Sequence, residues 1–90
     1  MSNQSFLVSL TAQTPSEFID MFSDYLDPWK GIQHFLAHSV DHVYPFVEIL
    51  AIPKGEIGKP QKIYVPSQYI LAIADWSEGK LPLGFRSGTL

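Results

Sequence analysis

"LDPWKGIQHFLAHSVDHVYP", residues 26–45, decides the fold. Pro28 disfavours helical geometry at Asp27, so any helix arriving from upstream stops there. Asp27 can then cap a new helix, with Pro28 at its first position, where a missing N–H costs nothing. Trp29, Ile32, Phe35, Leu36 and Val40 share one arc of a 3.6-residue period. This spacing predicts a helix that buries that arc and ends before Pro45. Gly31 weakens it by about 1 kcal/mol relative to alanine.

The upstream stretch "TPSEF", residues 14–18, opens a first helix. Thr14 is placed as its N-cap, Pro15 at its first turn, and Glu17 to complete a capping box. Phe18, Ile19, Met21, Phe22, Tyr25 and Leu26 fill one arc; Glu17, Asp20, Asp24 and Asp27 fill the other. Before it, residues 6–11 alternate as a strand, with Phe6, Val8 and Leu10 on one face.

Downstream, residues 43–52 form an apolar run broken only by Glu48, which reads as a strand buried on both faces. The loop "PKGEIGKP", residues 53–60, connects a hairpin whose return strand is residues 61–65. Residues 66–68 turn, residues 69–74 make the next strand, and residues 77–80 turn again. Residues 81–86 suit a short edge strand, since Pro82 and Gly84 fit little else. The expected fold class is α+β: an N-terminal strand, a helical hairpin, then a three- to four-stranded, mainly antiparallel sheet. Ninety residues make a single domain, 1–90, with residues 1–4 and 87–90 expected to fray.

Composition narrows the chemistry. The chain is 46% hydrophobic and 17% charged, more apolar material than so small a core hides, which points to an interface. With no cysteine, disulfides, thiolate nucleophiles and Cys-ligated metals are excluded. A cytoplasmic location is expected. Residues 5–12 do not read as a signal peptide, because no basic residue precedes them and Ser9 and Thr11 interrupt them. No apolar run is long enough to span a membrane. The net charge of −3 argues against general nucleic-acid binding. It is uneven: residues 1–50 hold one base, Lys30, against six acids, whereas residues 51–90 carry a surplus of bases.

"YVPSQYI", residues 64–70, resembles the Pro-Ser-Asn-Tyr signature near the end of SH3 domains. The match covers Pro66 to Ile70 and the strand before, with Gln68 in place of asparagine. It implies a one-turn 3₁₀ helix between two strands, and a proline and a tyrosine that help line a groove. The rest of the chain departs from that family, so the resemblance is read as a shared turn. Gly55-Glu56-Ile57-Gly58 between Lys54 and Lys59 looks like the Gly-x-x-Gly loop of KH domains. It sits between strands, however, and Glu56 would face the phosphates.

His34, His38 and His42, spaced four apart with Asp41 adjacent, are weak metal candidates; on a helix such histidines can share an ion. The stronger reading is three surface histidines, with no cofactor. Ser39-Val40-Asp41-His42 is not a triad, because adjacency in sequence is not geometry. Glu48 interrupts the most apolar strand, where burial would raise its pKa; the plainer readings are a pair with a base such as Lys62 on the neighbouring strand or a place at an edge.

The functional expectation is a non-catalytic protein-interaction module, an adaptor, regulator, assembly factor or inhibitor, that also forms a homo-oligomer. Its partner-binding residues are expected to be Tyr64, Pro66, Tyr69 and Trp76, aromatics beside turns, rimmed by Lys54 and Lys59. The alternatives are a His-based metal protein and a weak nucleic-acid binder through Lys54, Lys59 and Lys62.

Overall fold

The computed structural model describes residues 5–56 and 58–76. Its elements are β1 (Ser5–Leu10), α1 (Ser16–Met21), β2 (Leu26–Trp29), β3 (Ile32–Val43), β4 (Phe46–Ala51), β5 (Gln61–Pro66) and β6 (Ile70–Trp76), with 3₁₀ turns at Lys54–Glu56 and Ser67–Tyr69. The strands form one six-stranded antiparallel sheet in the order β5-β4-β3-β1-β6, with β2 added to β3. This corrects the α+β expectation, for there is no helical hairpin.

The second helix is replaced by a β-hairpin. Lys30 (φ 53°) and Gly31 (φ 80°) both take positive φ, the geometry of a primed two-residue turn joining β2 to β3. Gly31 is therefore a turn residue, not a weak helical one. Pro28 is tolerated because β2 pairs only with β3 among the described residues, so its missing N–H need not cost a ladder bond. The helical spacing of the apolar residues has two sources. His34, Phe35, Leu36 and Ala37 are all buried, so the strand does not simply alternate there. The register then shifts between Ala37 and Val40, which displaces the next apolar position.

Helix α1 is only six residues long. Pro15 occupies its N-cap in extended geometry, and no side chain caps it. Thr14 is buried with its Oγ1 3.4 Å from that of Thr11, and Glu17 is exposed, so the expected capping box does not form. A helix this short cannot stand alone. Aromatic packing holds it: Phe18 lies 4.9 Å from Phe22, 6.4 Å from Phe35 and 5.4 Å from Tyr69, centroid to centroid. The chain then turns through residues 22–25 to place Leu26 opposite Phe35.

The run 43–52 also differs from expectation. Tyr44–Pro45, joined by a cis peptide bond, is a turn, and the strand begins at Phe46. Val47, Ile49 and Ala51 are buried, while Phe46 is exposed and Glu48 and Leu50 are half-buried. One face meets the core, not two.

The strands at 5–10, 61–66 and 70–76 and the loop between β4 and β5 agree with the sequence reading. So does the 3₁₀ turn that the Pro66–Ile70 resemblance implies. The expected turn at 77–80, the edge strand at 81–86 and the two chain ends lie outside the described residues. Val8, Leu10, Leu26, Phe35, Ala37, Val47, Ile49, Ala51, Ile63 and Val65 make one buried cluster. The first half of β3 pairs with β1 and β2 and its second half with β4, so the sheet curls around this core.

Candidate functional site

Alternation along β4 and β5 settles which side chains leave the core. With Val47, Ile49, Ile63 and Val65 inward, Phe46, Glu48, Tyr64 and Pro66 project outward. Register aligns them: Val43 opposes Phe46, Phe46 opposes Pro66, and Glu48 opposes Tyr64. The Ser67 N–H donates to the Pro45 carbonyl at 2.9 Å, which draws the 3₁₀ turn against the β3–β4 turn. Between them opens a cleft of about 250 Å³ lined by Tyr44, Pro45, Phe46, Pro66, Ser67 and Gln68.

This end of the sheet is apolar and exposed. Tyr44 is 87% accessible, Tyr64 51%, Val43 47% and Phe46 41%. Scattered exposed hydrophobics are ordinary, but four in neighbouring positions form a patch. Its inner border is polar, where Lys62 Nζ lies 3.6 Å from Glu48 Oε2, the pairing the sequence suggests. That pair is partly exposed and contributes little to stability.

The expected partner-binding residues separate into distinct places. Tyr64 and Pro66 belong to the patch. Tyr69 is half-buried and turned onto Phe18, so it is in large part a packing residue. Trp76 ends β6 opposite Ser5, at the other end of the sheet's pairing order from β5; only its backbone is described. Lys54 and Lys59 are exposed in the β4–β5 loop, at the far end of that hairpin from Phe46 and Pro66. Five residues of strand separate the two ends, about 17 Å. Tyr44 and Phe46 are hidden as surface residues when residues 43–52 are taken as one strand, although an X-Pro dipeptide such as Tyr44-Pro45 marks a turn.

The histidines lie on a strand, not a helix. Four residues of strand span about 13 Å, so successive members cannot close on one ion. His34 is 4% exposed, whereas His38 and His42 are exposed. Among the described residues no group of three His, Asp or Glu side chains could hold a metal.

Strand pairing does create one constellation invisible in sequence: Asp27, His34 and Ser9 are cross-strand neighbours on β2, β3 and β1. Trp29 lies beside the imidazole, ring centroids 6.1 Å apart. The burial of His34 keeps it from a substrate, and Ser9 is paired on both sides near the end of β1, without the sharp strand-to-helix turn that exposes a nucleophile.

Comparison of the chain with protein-family models, with curated proteins and with solved structures finds no match. No helix among the described residues is long and apolar enough to cross a membrane.

Proposed function

We propose that this protein is a small non-catalytic interaction module that binds protein surfaces, including a second copy of itself, through the patch of Val43, Tyr44, Phe46 and Tyr64. The observation that carries this reading is the grouping of those four exposed side chains around the Pro45–Pro66 cleft. Aromatic side chains with polar tips are favoured at interfaces, because they bury large area with few rotatable bonds. Patches of this kind serve partners more often than they stay bare.

The test is solution mass by light scattering over a tenfold concentration range, on the wild-type chain and on Phe46→Asp/Tyr64→Asp. Both positions point away from the core, so the variant should keep its fold. A mass that rises with concentration in the wild type and stays monomeric in the variant supports the proposal. A wild-type monomer that captures a protein in a pull-down, and loses it in the variant, supports it with another partner. A variant indistinguishable from wild type in both assays overturns it.

A further inference from the structure

The outward face of β3, β4 and β5 carries a polar row next to the aromatic patch. Register sets Asp41 opposite Glu48 and Glu48 opposite Tyr64, so two carboxylates and a phenol stand side by side across three strands. Residues directly opposite each other share a face, and Val47, Ile49, Ile63 and Val65 take the core side. Asp41 and Tyr64 are exposed, and Glu48 is half-buried.

The row is electrically strained. Cross-strand neighbours lie about 4.5–5.5 Å apart between Cβ atoms, and like charges so placed destabilise a sheet. Lys62 Nζ reaches Glu48 Oε2 at 3.6 Å from β5, whereas Asp41 stands on β3, on the other side of Glu48. Two carboxylates therefore share one ammonium, which is itself largely exposed.

This row adjoins the cleft. Phe46 and Pro66 make the next outward row of β4 and β5, two residues along each strand, or about 7 Å. Both line the cleft between the β3–β4 turn and the 3₁₀ turn, together with Tyr44 and Pro45.

We propose that the row of Asp41, Glu48 and Tyr64 takes an arginine from a basic segment of a partner protein, whose neighbouring apolar side chain fills the cleft. The proposal rests on the interaction reading above and names its partner. Guanidinium suits the row better than ammonium does. Its planar fork can bond both carboxylates, and its face can stack on the Tyr64 ring. The two anchors are about 7 Å apart, the spacing of residues i and i+2 in an extended chain. Charge selects the occupant. A second copy would set carboxylate against carboxylate across this row, whereas an arginine relieves the repulsion already there.

The experiment is selection of a displayed random decapeptide library on the immobilised full chain, followed by anisotropy titration of a fluorescein-labelled winner. The expected winners carry arginine two positions from a large apolar residue, and they move the amide signals of Asp41, Glu48 and Tyr64. Asp41→Asn/Glu48→Gln keeps the side-chain shapes and should weaken binding about tenfold and flatten its salt dependence. Lysine in place of the peptide arginine should weaken it about threefold. Lys80→Ala/Arg86→Ala removes every base from residues 77–90 and should leave the affinity unchanged. A gain in affinity there would mean that the chain itself fills the row, and would overturn the inference. So would a carboxylate variant or a lysine peptide that binds as tightly as the original, a dimer dissociated by Asp41→Lys, or no enrichment at all. Winners without a basic residue that Phe46→Asp/Tyr64→Asp still abolishes would remove the arginine site and leave the aromatic patch standing.

Discussion

Replacing Phe18 and Tyr69 singly and together tests how α1 is held. The rings are 5.4 Å apart and near-perpendicular, an edge-to-face pair worth roughly 0.5–1.5 kcal/mol beyond area burial. Phe18 also meets Phe22 and Phe35. Full burial would put a Phe→Ala change at about 3–5 kcal/mol. Phe18 is only half-buried, so about 2–3 kcal/mol is expected, which lowers Tm by roughly 10–20 °C in a domain of this size. Urea melts of the wild type, Phe18→Ala, Tyr69→Ala and the double variant give the coupling directly. The expected coupling is about 1 kcal/mol, with Tyr69→Ala alone costing well over 1 kcal/mol. Costs that add within about 0.3 kcal/mol would show that the rings do not interact. A Tyr69→Ala change within about 0.5 kcal/mol of wild type would return Tyr69 to the free surface, and the account of α1 would fail.

Gly31→Ala should cost about 1–2 kcal/mol, because the added methyl meets open space and the penalty is the left-handed backbone alone. A thermal melt unchanged from wild type would refute the hairpin turn. Equimolar zinc added to dialysed protein should leave Tm within 1 °C. A rise of several degrees that His38→Ala removes would refute the strand assignment of the histidines.

Much of the sheet was legible before the structure. Strong alternation announced β1, and Pro66-Ser67-Gln68 marked the corner between β5 and β6. Residues 26–43 misled for a physical reason. A proline after an aspartate, apolar spacings of three and four, and a lone glycine are all helical signs. They arise here from an edge strand, a bulged strand buried on both faces in its first half, and a turn that needs positive φ. Tertiary pairing outweighed local preference. The patch was half legible: Tyr64 and Pro66 stood out beside a turn, whereas Tyr44 and Phe46 were concealed by reading a turn as strand. The row of Asp27, His34 and Ser9 could not be read at all, because it exists only once three strands are in register.

The seam between β1 and β6 also sets an order of events during synthesis. Ser5 pairs with Trp76 and Leu10 with Ile70, so the first strand keeps one edge open until almost the whole described chain has been made. At about 5–20 residues per second, the nascent protein spends several seconds with that edge bare. Its partner β3 is available much sooner, so β1, β2 and β3 can assemble as a unit while β6 is still being translated. A variant that slows the arrival of β6 would therefore raise aggregation of the newborn chain without changing the stability of the finished one.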